Sequence, residues 1–161
     1  MSISEGQNYL LHTSVRCLAW VFYGREFRLR DAIDDGLVKY GKMLQVLRNE
    51  IVNPKSMRST DLIQVILLCI MLESIVAYTM GDSSFSGMHS HITGLTQIFR
   101  LRGPKAFQNM SDMLPFEICR CYVVAKAIKM RIPTFMSEPA WKTIPWKYQE
   151  KNAYSEVWDV L

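Results

Sequence analysis

Residues 29–51 carry the feature that most restricts how this 161-residue chain can fold. Ile33, Leu37, Tyr40, Leu44, Leu47 and Ile51 recur alternately four and three apart without a break. That spacing gathers all six on one side of a helix, whereas a strand would scatter them over both of its faces. Asp34, Asp35, Lys39, Lys42, Arg48 and Asn49 fall off the stripe. An amphipathic helix of this kind needs an apolar partner. Residues 5–22 offer one, with Leu11, Val15, Leu18 and Phe22 in a stripe that Leu10, Cys17 and Val21 widen, and with Gly24 placed to end it. Antiparallel packing of the pair is favoured over a coiled coil, for which three heptads are the lower limit.

The rest of the chain continues in the same key. Asn53-Pro54 breaks the second helix, and Ser59 or Thr60 caps a third, residues 61–80, with Asp61 in its first turn. Leu62 to Tyr78 is the most apolar run, but it contains Gln64, Glu73 and Ser74. A membrane span wants roughly 20 predominantly apolar residues, so a helix buried on all sides of a protein core is the better reading. After a turn-rich loop at 81–87, a fourth helix runs from His89, with Ile92, Leu95 and Phe99 on one face and Ile98 and Leu101 widening it. Gly94 costs that helix about 1 kcal/mol relative to alanine, which close approach by the third helix would offset. Gly103 can take the left-handed conformation that closes a helix, and Pro104 prevents its continuation. A short turn follows at 104–109, then a fifth helix capped by Ser111 and running to about Met130. Pro133, Pro139 and Pro145 punctuate a segment anchored by Phe135, Trp141 and Trp146, and residues 153–161 begin another helix. No segment alternates at period two. The expected fold is therefore all-α: an irregular array of about six antiparallel-packed helices in one domain, residues 1–161.

Composition is ordinary for a globular protein, 49% hydrophobic and 21% charged, with a net charge of +4. The basic residues between Arg100 and Lys151 are scattered and come with no recognition-helix pattern, so they read as a solvated face. Cys17, Cys69, Cys119 and Cys121 contain no Cys-x-x-Cys, and the N-terminus has neither a basic region nor an apolar run of a signal peptide. Free thiols in a reducing compartment follow. Asp31, Asp34 and Asp35 lack a second acidic cluster to share a magnesium ion, and their place near a helix start is explained by the helix dipole. His89 and His91 diverge on a helix and have no third ligand nearby, so no metal is expected. No nucleophile elbow, phosphate loop or dinucleotide fingerprint is present, and neither catalysis nor a cofactor is expected. Glu73 stands out, because a carboxylate in an apolar helix must find a partner or neutralise. His91 and Arg102 are the candidates. The reading is a buried polar clamp between the third and fourth helices, with ligand sensing in the same pocket as the alternative.

His91-x-x-Gly94, Ile98, Arg102-Gly103-Pro104 and the aromatic Phe107 together resemble the regulatory region of fungal-specific transcription factors, the long all-helical domains that usually follow a binuclear zinc cluster. Further elements occur in that family's order. They are Tyr40-Gly-Lys-Met-Leu-Gln-Val-Leu-Arg48, the apolar helix with its late acidic Glu73, and Arg120 leading to Phe135 and Trp141. The zinc cluster itself is absent from this chain.

The resemblance implies a nuclear regulatory module, or a stand-alone relative without the cluster, acting through protein or small-molecule contacts. Specific DNA binding by this chain alone is not expected, nor is membrane association. The alternative is a small helical enzyme or accessory protein of a fungal biosynthetic pathway. The family's domain normally continues past the point corresponding to Leu161. Val157, Trp158, Val160 and Leu161 on an unfinished helix are accordingly expected to form an exposed apolar patch with Trp141 and Trp146, inviting a protein partner or self-association.

Overall fold

A computed structural model describes residues 3–81 and 85–160. Among them the fold is all-α, with no strand. Its helices are α1 (Ile3–Glu26), α2 (Arg30–Ile51), α3 (Thr60–Met80), α4 (Ser86–Arg102), α5 (Met110–Met130), α6 (Pro139–Thr143) and α7 (Ala153–Val160). Single 3-10 turns lie at Ser56–Arg58, Pro104–Phe107 and Phe135–Ser137. The chain divides into two compact units, Met1–His91 and Ile92–Leu161, so the boundary falls inside α4.

In the first unit α1 and α2 form an antiparallel hairpin built on two glycines. A Cβ on Gly36 would lie 2.9 Å from Val21 Cγ2, and one on Gly24 would lie 2.8 Å from Ile33 Cγ1. Gly24 therefore does not end α1 as expected. It sits inside the helix, which runs two residues further and gives way to Arg28 at a φ of 56°. Because the helices meet at glycines, the buried faces are rotated from the expected stripes. α1 buries Leu10, Ser14, Cys17 and Val21, while Val15 and Phe22 are half exposed. α2 buries Gly36, Tyr40, Met43 and Leu47, and Ile33, Leu37 and Leu44 are only partly covered.

Between α2 and α3, Ser59 accepts a hydrogen bond from the Asp61 amide at 3.2 Å, which starts α3. Gly81, left-handed at φ 70° and ψ 21°, stops it. Ile63, Val65, Ile66, Cys69, Ile70 and Leu72 are all nearly inaccessible and share one half of α3, while Met71 and Tyr78 on the other half are exposed, so α3 is not buried on all sides as expected. By length and composition alone α3 is also long and apolar enough to cross a membrane; here it packs against α1.

The second unit has a different interior. Ile92, Leu95, Ile98 and Phe99 of α4 are buried as their spacing predicts, but Leu101 is 70% exposed. A Cβ on Gly94 would meet no described atom within 4 Å, so Gly94 is not the tight crossing expected of it. Gly103 does take a positive φ of 70°, but its ψ is 162° rather than left-handed helical. Pro104 forces this, since the residue before a proline is pushed to extended ψ. The cap of α5 is Asn109, not Ser111: Asn109 Oδ1 accepts from the Asp112 amide at 2.9 Å, while Asn109 Nδ2 donates to Asp112 Oδ2 at 2.7 Å. Phe107 and Phe116 stack at 4.6 Å between centroids, and Phe99, Trp141 and Trp146 each lie within 6.1 Å of Phe116. Trp141 and Trp146 are thus core residues, and Trp158 is half-buried, so the exposed tryptophan patch does not form. The aromatic stack takes up the first two rings itself. Val157 is exposed, and the Val160 side chain and Leu161 lie outside the described residues.

Candidate functional site

Three helices of the first unit each deliver one polar side chain to a common point. Tyr40 comes from the buried face of α2, Glu73 from α3 and His91 from α4. Tyr40 Oη donates to Glu73 Oε1 at 2.9 Å and lies 2.8 Å from His91 Nε2. The phenol has one proton and gives it to the carboxylate, so His91 must donate from Nε2 to the phenolic oxygen. His91 Nε2 and Glu73 Oε1 are 3.9 Å apart. The Tyr40 ring is buried, and the Glu73 and His91 side chains keep 23% and 17% of their surface. The cluster thus has a dry end at Tyr40 and a wetter end at Glu73 and His91.

Local sequence makes room for this arrangement. A Cβ on Gly87 would stand 2.3 Å from Glu73 Oε2, so the carboxylate occupies the space that any other residue at 87 would fill. Gly87 lies in the first turn of α4, where the helix dipole favours a negative charge. One residue beyond Glu73, the Ser74 hydroxyl lies 3.2 Å from the Met88 sulfur. Cys69, one turn before Glu73, is in the same neighbourhood. Burial pushes its thiol up to about 12, offset in part by a hydrogen bond with Tyr40 and reinforced by the Glu73 charge. Burial also holds Tyr40 far above the usual phenol range, with the charges of Cys69 and Glu73 adding to it.

The expected clamp is therefore real in two of its members and different in the third. His91 meets Glu73 through Tyr40, whereas Arg102 belongs to the second unit and pairs with Asp112 at 2.5 Å. Its guanidinium lies 5.0 Å over the Phe107 ring, and its Nε and Nη1 are buried with no hydrogen-bond partner among the described residues. The Asn109 cap orients the Asp112 carboxylate that accepts from Arg102. Gly103 and Pro104 turn the chain just beyond Arg102, and Gly94 takes no part in either cluster.

Sequence reasoning missed two residues. Tyr40 read as one more member of an apolar stripe, although a hydroxyl in a core register always needs a partner. Arg120 stands four residues after Phe116 on the buried face of α5 and is fully inaccessible. Its Nη1 donates to the Ser155 carbonyl at 2.9 Å, its Nη2 to the Asp159 carboxylate, and its guanidinium lies 4.8 Å over the Trp146 ring. Burial raises Asp159, but hydrogen bonds from Lys151 and Arg120 outweigh it and hold the carboxyl below its ordinary range. These contacts tether α7 to α5. The signal was a charged residue at a core position of a helix, which seldom occurs without a dedicated partner.

The remaining candidates are plain. Asp34 pairs with Arg30 at 3.4 Å and Asp35 with Lys39, both one helical turn apart on the surface. All four cysteines are free thiols, and among the described residues no three His, Cys, Asp or Glu side chains stand close enough to hold a metal ion. Comparison with family profiles, curated proteins and solved structures finds no match to this chain.

Proposed function

We propose that this chain is a regulatory helical module of the kind found in fungal-specific transcription factors, or a relative without the zinc cluster, and that it acts through protein or small-molecule contacts in the nucleus. One observation carries the reading. Three of the four motif segments that carry the resemblance each contribute one residue, Tyr40, Glu73 and His91, to a single hydrogen-bonded cluster. Those three segments, spread over some fifty residues of sequence, thus meet in one physical feature. The chemistry of the cluster favours a structural or sensing role over catalysis. A phenol and a thiol pushed upward are poor nucleophiles at neutral pH.

Specific DNA recognition and membrane association form no part of this proposal. Any DNA binding by the chain is expected to be weak and to vanish with added salt, as phosphate attraction does. The test is a fusion of the chain, between a heterologous DNA-binding domain and an activating segment, assayed on a reporter in a fungal host. The chain should change reporter output several-fold, and Glu73→Gln should alter that change while the fusion accumulates normally. A reporter indifferent to the presence of the chain would remove the reading.

A further inference from the structure

A cleft in the second unit is built differently from the cluster and independently of it. It has a volume of about 210 Å³. One wall is a single face of α4, where Thr93, Thr96 and Arg100 stand three and four residues apart. The second is the facing stripe of α5, with Val123, Lys126 and Ala127. The third is the strap Ile132–Phe135. The turn after α5 sets that strap. Arg131 adopts a left-handed conformation at φ 54°, its amide bonds the Ile128 carbonyl at 3.1 Å, and the Ile132 amide bonds back to Ala127 at 3.0 Å. This is the Schellman closure, which brings residue 132 against residue 127. The cleft is therefore framed by a defined helix cap rather than by a loose loop.

Its lining is apolar below and cationic at the rim. Val123, Ala127 and Phe135 are buried. Among the described residues, the ionisable groups in the lining are Arg100 and Lys126, with no acidic one. Arg100 lies 5.1 Å over the Phe135 ring, a contact with the ring face that leaves its N–H groups for another acceptor. Arg100 makes none of the ion pairs found among the described residues. Lys126 reaches the Thr93 hydroxyl, so its ammonium is fixed on the same rim.

We propose that this cleft binds a small organic anion: a ring-sized apolar body carrying one carboxylate or phosphate. The volume exceeds that of a cavity that holds benzene, about 150 Å³, by room for a substituent. A planar guanidinium beside an ammonium matches either oxyanion, and the apolar floor takes the ring. The site does not depend on the regulatory reading, and if both hold it is where an effector enters.

The experiment is calorimetric titration of the whole chain with 4-methylbenzoate, phenyl phosphate and the neutral 4-methylbenzamide. At least one anion should bind saturably, one per chain, with millimolar affinity or better for so few atoms. The tighter of the two identifies the oxyanion. The amide should bind at least about tenfold more weakly, and Arg100→Gln should weaken the anion by a similar factor, equivalent to about 1.4 kcal/mol. Ala127→Phe fills the cleft without touching its charges and should abolish binding. Circular dichroism establishes that each variant folds. The site is refuted if neither anion saturates, if the amide binds equally well, or if either folded variant binds as the parent does.

Discussion

The two units are held together by opposite means. The first joins its long helices at glycines, and its cluster of three polar side chains is hydrogen-bonded through a phenol. The second stacks aromatic rings around Phe116 and fastens its helices with two arginines whose side chains are buried, Arg102 on Asp112 and Arg120 on α7. Close helix packing tolerates small changes badly but involves no charge. A buried arginine is the reverse: it accepts nothing in place of its partners, because removing one leaves an uncompensated charge. The difference teaches where each half is vulnerable, and the following variants test it in order of expected effect.

Arg120→Ala should be the most damaging, at about 3–5 kcal/mol in a urea titration, since it strips the Ser155 carbonyl of its donor and leaves the Asp159 carboxylate to Lys151 alone. Hydrogen exchange should then place the loss in α7 and α5. The same contact has a pH signature. Asp159 has a folded pKa below its ordinary 3.8, so its pairing stabilises the protein above that value and fades as the pH falls below it. Asp159→Asn should flatten that acid limb, and a limb unchanged by the substitution would mean the pairing contributes nothing.

Gly36→Leu comes next. With Val21 Cγ2 already 2.9 Å from a Cβ, overpacking should cost about 1–3 kcal/mol, read as a lower thermal midpoint. If the midpoint holds, the hairpin is not tight and the contrast between the units collapses. Tyr40→Phe removes one hydroxyl between a carboxylate and an imidazole. It should cost about 1.5 kcal/mol, because hydrogen bonds to charged groups are worth roughly 1.5–3 and the two partners keep some water. The smallest effect has the opposite sign. Gly94→Ala meets no described atom within 4 Å and should stabilise α4 by up to about 1 kcal/mol. Destabilisation there would restore the close crossing that the structure does not contain.

Much of this architecture was legible in the residues. Heptad-like spacing located α2 and α4, because a helix repeats its face every few residues whatever it packs against, and a capped apolar run located α3. Ser59, Gly81 and Pro104 marked helix ends through purely local backbone chemistry. The Glu73 problem was legible too, since a carboxylate in an apolar run demands an answer. The answer was only half readable: His91 was named, Tyr40 was not, and Arg102 was assigned to the wrong carboxylate. Partner choice among like groups depends on distances between helices, which no spacing along the chain encodes.

What the sequence determined by itself was the all-α class, the helix positions within a few residues, and the need for buried polar pairs. These follow from propensity, periodicity and solvation, each of which acts locally. The tertiary structure alone decided which glycine meets a neighbour. Gly24 and Gly36 stand against side chains, Gly87 leaves space for a carboxylate, and Gly94 faces no described atom. It alone decided that Trp141 and Trp146 stack inside rather than lie on a surface, and that Arg120 turns inward to tether α7. The physical reason is the same throughout: each is settled by what stands opposite, and in a close-packed interior that is a property of the whole arrangement rather than of any one helix.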